Sequence, residues 1–257
     1  MSARLEIVDH VARVTIDRPE VLNALDADAE AALLSIWQRL EADREIRAVV
    51  LTGSGQRAFC VGADMKNVGK SGLEYWAATR RDGFGGIALR TTLDIPVIAR
   101  VNGHALGGGF EMVLGCDIVI AAEGTSFGLP EPRVGRLPLD GGMVLLARQI
   151  PFRLAMGMLL TGRRIDAAQA LELGLINEVV PRADLDVAVD RWLADILACS
   201  PLSLRAIKQT VRRTAQLAAT EAQALRLPAL IDCLQSADAE EGVRAFREKR
   251  APVWSGR

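Results

Sequence analysis

Residues 96–123, PVIARVNGHALGGGFEMVLGCDIVIAAE, constrain the fold more than any other stretch of this 257-residue chain. Two apolar runs rich in Val and Ile flank a glycine run and a short apolar helical segment. The pattern reads strand, helix, strand. Strands joined through a helix pair in parallel, and repetition of that unit builds an α/β fold around a mainly parallel sheet. Three consecutive glycines, Gly107 to Gly109, stand one residue, Phe110, ahead of Glu111. Each glycine weakens a helix or strand by roughly 0.5–1 kcal/mol relative to alanine, so a run of three points to a local demand such as close backbone approach.

Other segments extend the alternation. RLEIVDHVARVTIDRP alternates on a two-residue period on both sides of Asp9-His10 and reads as a hairpin ending at Pro19. Asp26 is placed to cap a helix with Ala29, Leu33, Ile36 and Leu40 on one face. RAVVLTG is a buried strand before a glycine turn, and a helix is expected over much of 73–93. From about residue 139 helical patterns dominate: 139–149, 151–160, 166–173, 184–198, 201–218, 220–235 and 238–249. Ser200-Pro201 marks a helix start. The expected division is a core over 1–195 and a C-terminal helical region over 196–257.

Composition excludes several classes. A formal net charge of −1 offers no global attraction for nucleic acid or a membrane surface. The amino-terminal MSARLEIVDH has no apolar signal segment, and no apolar run reaches membrane-spanning length. The four cysteines, Cys60, Cys116, Cys199 and Cys233, form no CxxC pair and read as reduced thiols of a cytoplasmic protein. Two histidines, His10 and His104, argue against a histidine-rich metal site.

Two motifs suggest other chemistry. GTSFG, residues 124–128, fits the G-x-S-x-G nucleophile elbow, but both histidines precede Ser126 and LPEP follows instead of a helix. GSGQRA after the RAVVLTG strand fits a dinucleotide fingerprint, with Glu74 about 20 residues on, yet FCVGADMKNVG has no helical period.

The glycine run has two readings, tight helix–sheet packing or a set of amide donors at a helix start, where unpaired N–H groups and the helix dipole favour negative charge. With no Lys or Arg inside the segment, a developing oxyanion suits it better than a phosphate. Glu111, in the first helical turn, is a general acid or base candidate. Glu131 stands between Pro130 and Pro132 in an apolar loop that restrains it and can raise its pKa. The two lie 20 positions apart and converge only if the intervening strand folds back.

Taken together, RPEVLNAL, RAFCVGADM, PVIARVNGHALGGGFEMVLGCDIVIA, SFGLPEPRVGRLPLDGG, LTGRRIDAAQALELGLINEVVP and AFREKR resemble the crotonase (enoyl-CoA hydratase/isomerase) superfamily, in order and over nearly the whole chain. The resemblance implies a spiral of ββα units with C-terminal helices that assemble a homotrimer or homohexamer. It implies that the backbone amides of Gly108 and Ala63 grip an acyl-CoA thioester carbonyl, a side chain at 108 blocking that approach, and that Glu111 and Glu131 add or remove water. For coenzyme A, it points to Val21, Leu22, Ala63 and Asp64, with Gly141 shaping the acyl pocket. Phe246 and Lys249 match residues that reach coenzyme A from a neighbouring subunit. Coenzyme A is then part of the substrate, and neither metal nor redox cofactor is implied.

The expected activity is reversible hydration of a 2-enoyl-CoA. Leu129, where short-chain hydratases often carry a polar residue, and Arg133, where small or aliphatic residues are usual, depart from the short-chain pattern. PLDGG and the tail EKRAPVWSGR look closer to the carnitinyl-CoA dehydratase branch. A Δ3,Δ2-enoyl-CoA isomerase is the alternative, using one proton shuttle at Glu131. Some crotonase-fold proteins bind RNA through a basic helix, and Arg205, Lys208, Arg212 and Arg213 in LRAIKQTVRRT are the residues available for it. Near-neutral charge and the absence of interleaved aromatics favour a solvated face instead.

Overall fold

The opening hairpin forms as expected: β1 (Ala3–Val8) pairs antiparallel with β2 (Val11–Ile16). Asp9 and His10 both take positive φ, 46° and 68°, the backbone of a tight two-residue hairpin turn. The computed structural model describes residues 2–65, 72–78 and 82–257. Helix α1 (Ala27–Ala42) follows, with the Asp26 carboxylate accepting the Ala29 amide at 2.9 Å. Its buried face is Ala29, Leu33, Trp37 and Leu40. Trp37 takes the place expected for Ile36, because its indole N–H reaches the Gly85 carbonyl at 2.8 Å while Ile36 stays half-buried.

Three times a strand of one sheet passes directly into a short strand of a second. β3 (Ala48–Gly53) leads to β4 (Ala58–Cys60), β5 (Val97–Val101) to β6 (His104–Leu106), and β7 (Ile118–Ala122) to β8 (Ser126–Gly128). Helices follow these pairs: α2 (Gly72–Ala77) after the first, α3 (Gly108–Leu114) after the second, and α4 (Gly142–Gln149) and α5 (Phe152–Thr161) after the third. Then come β9 (Arg164–Asp166), α6 (Ala167–Glu172), β10 (Glu178–Val180) and α7 (Leu185–Leu197). The six-stranded sheet runs β1-β2-β3-β5-β7-β10, parallel from β2 onward, and the four-stranded sheet runs β4-β6-β8-β9.

The central strands are buried on both faces, which is why they read as unbroken apolar runs. Val49, Leu51, Val97, Val101, Val119 and Ala121 face the main core with Trp37, Phe59 and Phe110. Val50, Ile98 and Ile120 face the other way, onto Leu185, Val189 and Leu193 of α7.

Several expected helices differ. The helix over 73–93 shortens to α2, followed by a 3-10 turn at Phe84–Gly86, where Gly83, Gly85 and Gly86 take positive φ and cannot continue a helix; positions 79–81 lie outside the described residues. The helix over 166–173 yields its first residue to β9 and starts at Ala167 under a capping box from Asp166 and Gln169. The helix over 220–235 divides into α9 (Ala219–Ala224) and α10 (Pro228–Leu234), because Pro228 starts a new first turn after extended Leu225 and Leu227. Helices α8 (Pro201–Thr214) and α11 (Ala237–Glu248) complete the chain, α8 ending short of the expected 218.

Three of the four basic residues on α8 are turned onto the core. Arg205 donates to the Ile46 carbonyl at 2.9 Å and Arg212 to the Gly115 carbonyl at 2.7 Å. Lys208, 8% exposed, donates to the Ile95 carbonyl at 2.5 Å and pairs with Asp117 at 2.6 Å. Only Arg213 of the set is exposed, so the face needed for the RNA reading is not presented to solvent.

Candidate active site

Each glycine of the run meets a different neighbour. Gly107 takes φ +55°, and a Cβ there would lie 2.8 Å from Glu131 Oε1. A Cβ on Gly109 would sit 2.0 Å from the Cys60 carbonyl oxygen, so the packing reading of the run holds at that position. A Cβ on Gly108 would strike the Phe84 ring at 2.6 Å. The glycine at 108 therefore makes room for an aromatic ring of the fold.

Gly108 is the first residue of α3, so its amide has no intrahelical acceptor. Ala63 forms an isolated parallel bridge with Leu25, in which Leu25 donates to the Gly62 carbonyl at 2.9 Å and Asp64 donates to the Leu25 carbonyl at 2.8 Å. That pattern turns the N–H of Ala63 away from Leu25. A Cβ on Gly62 would lie 3.1 Å from the Gly108 nitrogen, so the Gly62-Ala63 backbone runs beside the start of α3. Among the described residues, neither the Gly108 nor the Ala63 amide donates to a backbone carbonyl.

Glu111 is 3% exposed. Its Oε1 accepts the Gly142 amide at 2.8 Å and the Asp140 amide at 3.0 Å, at the positive end of α4. Position 142 has to be glycine for this approach, since a Cβ would lie 2.7 Å from Pro138 and 3.0 Å from Glu111 Oε1. Burial pushes the Glu111 pKa up to about 8, the two amides working against the rise and the charges of Asp140 and Glu131 adding to it.

Glu131 opens a 3-10 turn, Glu131–Val134, directly after β8 and Pro130. β8 lies parallel to β6, and the Gly107 amide donates to the Gly128 carbonyl at 2.9 Å. This is the fold-back that two carboxyls 20 positions apart require. Burial raises the Glu131 pKa, and its Oε2 is buried with no hydrogen-bond partner among the described residues. An orphaned buried oxygen is rare in a folded protein outside functional sites.

The remaining expected site residues are placed as follows. Val21 and Leu22 are half-buried, and Leu22 closes a 3-10 turn with φ 56°. The Asp64 side chain is paired with Arg18 at 3.2 Å. Gly141 takes φ +129° at the start of α4, beside Leu89 and Leu145. Phe246, 85% exposed, and Lys249, with φ 55°, lie at the end of α11. Arg133 donates to the Thr161 carbonyl at 3.0 Å and braces α5, whereas Leu129 is fully buried against Gly142.

Sequence reasoning missed two asparagines. Asn23 donates to the Ala58 and Ser54 carbonyls at 2.9 and 3.0 Å, and Asn102 to the Gly55 and Ala58 carbonyls at 2.8 and 3.1 Å. Together they clamp the β3–β4 connection that leads to Ala63. Their burial is the only signal, and no spacing rule reveals it. Asn102→Ala removes the donor to the Gly55 carbonyl and one of the two donors to the Ala58 carbonyl, and is expected to lower stability by about 1 kcal/mol, measured by urea unfolding.

The two rejected motifs meet different fates. β3 leads into a strand, β4, so GSGQRA does not open a helix. His104 Nδ1 does lie 2.9 Å from Ser126 Oγ, a pairing that chain order did not foresee. Yet no carboxylate orients that ring among the described residues, and the segment continues through Pro130 into the Glu131 turn, not a helix. The Cys60 and Cys116 thiols are each pushed up to about 12 by burial, which removes both as nucleophiles. Among the described residues no three His, Cys, Asp or Glu side chains gather to hold a metal, and no helix is long and apolar enough to cross a membrane.

Residues 6–257 match the family model described as Enoyl-CoA hydratase/isomerase. The chain belongs to that family. It is 40% identical over 258 residues to (E)-benzylidenesuccinyl-CoA hydratase of Thauera aromatica, covering 100% of both chains. It is 36% identical over 251 residues to carnitinyl-CoA dehydratase of Salmonella typhi, covering 96% of this chain and 95% of that one. The crystal structure of an enoyl-CoA hydratase from Bacillus anthracis superposes with a TM-score of 0.93 at 32% identity over 100% of both chains. Membership makes the protein a lyase of hydratase type acting on acyl-CoA thioesters, with the family's crotonase fold.

Proposed function

We propose that this enzyme adds water reversibly to a substituted 2-enoyl-CoA, with Glu111 and Glu131 as the acid–base pair and the Gly108 and Ala63 amides as the oxyanion hole. The observation that carries the reading is the convergence of two carboxyls, Glu111 buried and Glu131 half-buried, beside two amides that donate to no backbone carbonyl among the described residues. Hydration of a conjugated double bond needs three things at once. The thioester carbonyl must be polarised so that Cβ becomes electrophilic, and two aimed amides supply this, each worth about 3 kcal/mol in the transition state. A carboxylate must take a proton from water as its oxygen bonds to Cβ. A carboxylic acid must then deliver a proton to Cα.

Two like charges side by side in a buried site resist double ionisation, so the pair holds one proton between them. The ionised member takes the proton of water and the protonated member gives its own to Cα, and dehydration reverses both transfers. Glu111 Oε1 is occupied by its two amides, which leaves Oε2 for the reactants. Glu131 offers its Oε2, which has no hydrogen-bond partner among the described residues. Val21, Leu22, the Ala63-Asp64 backbone and Gly141 are the proposed contacts for coenzyme A and the acyl group. Phe246 and Lys249 would reach coenzyme A in a neighbouring copy of a cytoplasmic homotrimer or homohexamer. The mechanism calls for no metal and no redox cofactor.

The substituted acyl group rests on the named relatives at 36–40% identity, which act on benzylidenesuccinyl-CoA and carnitinyl-CoA. Absorbance of the enoyl-thioester band tests it with crotonyl-CoA, crotonobetainyl-CoA and (E)-benzylidenesuccinyl-CoA. Faster loss of the band with either substituted thioester is the expected result. Faster loss with crotonyl-CoA makes the enzyme a general hydratase. Binding of all three without turnover, with 3-enoyl-CoA converted to 2-enoyl-CoA, makes it an isomerase.

A further inference from the structure

Glu111 is held by a peptide that is itself held by a side chain from the distant helix α2. The Asp140 amide donates to Glu111 Oε1 at 3.0 Å, and the Asp140 carboxylate Oδ2 accepts the phenol hydroxyl of Tyr75. Asp140 is 6% exposed and Tyr75 is half-buried. Asp140 immediately precedes Gly141, which takes φ +129° before α4 begins. A residue entering such a turn has its peptide plane set by its side-chain anchor as well as by the turn.

We propose that Tyr75 and Asp140 are a positioning pair for Glu111: the phenol anchors the Asp140 side chain, and the anchored peptide aims its N–H at Glu111 Oε1. This rests on the two-carboxyl mechanism above. The pair also sets the electrostatics of the site. The charged groups facing Glu111 among the described residues are Asp140 and Glu131, both of which raise its pKa. From the other elements packed on α3 come the Phe84 turn, which carries no charge, the buried neutral Cys60 on β4, and His104 on β6, which is bonded to Ser126.

The test measures kcat, KM and the pH profile for Tyr75→Phe, Asp140→Asn and Asp140→Ala, with the fastest of the three thioesters named above. Tyr75→Phe is expected to lower kcat about ten-fold with KM within two-fold, since displacing a reacting group by even a fraction of an ångström is costly. Asp140→Asn keeps an acceptor for the phenol, so it is expected to retain more kcat than Asp140→Ala. It also removes a like charge beside Glu111, so the alkaline limb of its profile moves to lower pH.

Wild-type kcat in Tyr75→Phe overturns the proposal. So does a raised KM with unchanged kcat, which would place Tyr75 on the substrate instead. An alkaline limb unmoved in Asp140→Asn overturns it as well. Glu111→Gln, run alongside, separates this inference from the mechanism beneath it. If that variant is inactive while Tyr75→Phe is unimpaired, the positioning pair alone fails. If it still turns over, the two-carboxyl mechanism fails and the pair with it.

Discussion

Glu111→Gln is expected to lower kcat by about a thousand-fold and, at pH 8, to raise thermal stability. The activity loss follows from the role of a general acid or base, commonly worth 10²–10⁴. Glu131→Gln is expected to match it, and the double variant to fall no more than roughly ten-fold further, because groups that act as a unit are not additive. The stability gain follows from burial. Folding raises the Glu111 pKa from 4.5 to about 8. A carboxyl raised in this way stabilises the fold fully below pH 4.5, and that contribution is lost as pH rises through 8. Glutamine is neutral throughout and keeps an oxygen for the Asp140 and Gly142 amides. The gain over wild type at pH 8 is of the order of 3 kcal/mol, which for a chain of this size is roughly 6 °C or more in Tm. At pH 4 the two proteins should melt together. Calorimetry at both pH values checks this, and an inactive variant with no gain at pH 8 would show that Glu111 is ionised in the resting fold. The same pKa sets the alkaline limb of wild-type activity, which is expected to decline above about pH 8 as the shared proton leaves.

The strand–helix alternation was legible because each element carries its own period. The hairpin at Asp9-His10, the Asp26 cap and the start of α8 at Pro201 are local events written in adjacent residues. The sheet switch at Asn102-Gly103 was not legible. PVIARVNG read as a single strand, and the three residues HAL are too few to carry a strand period of their own, so β6 went unread. Pro228 and the glycines at 83, 85 and 86 did carry signals, and the apolar period around them masked the breaks. The basic residues of α8 looked like a solvated face because charge alone does not show that Lys208 and Arg212 close carbonyls left open at Ile95 and Gly115. In the site, Glu111, Glu131 and the glycine run stood out by residue type and spacing. Tyr75 and Asp140 did not, since a pairing across 65 positions is a property of the finished fold.

Gly108→Ala and Gly109→Ala, adjacent and chemically identical, are expected to fail in different ways. At 109 the new methyl would overlap the Cys60 carbonyl, 2.0 Å from its oxygen and 2.6 Å from its carbon. That obstacle is backbone of β4 in the core, which cannot turn aside, so the variant is expected to lose several kcal/mol and accumulate as insoluble protein. At 108 the obstacle is the buried Phe84 ring, a side chain rather than backbone. Gly108→Ala is expected to fold with a modestly lowered Tm. It should lose about 10²–10³ in kcat, because shifting the start of α3 moves one oxyanion donor out of line. The double variant Gly108→Ala with Phe84→Leu restores space for the methyl and should recover part of that kcat. Recovery would mean that position 108 is glycine to seat the ring beneath the oxyanion amide. A double variant no better than Gly108→Ala alone, with Tm restored, would mean that the methyl obstructs the thioester itself.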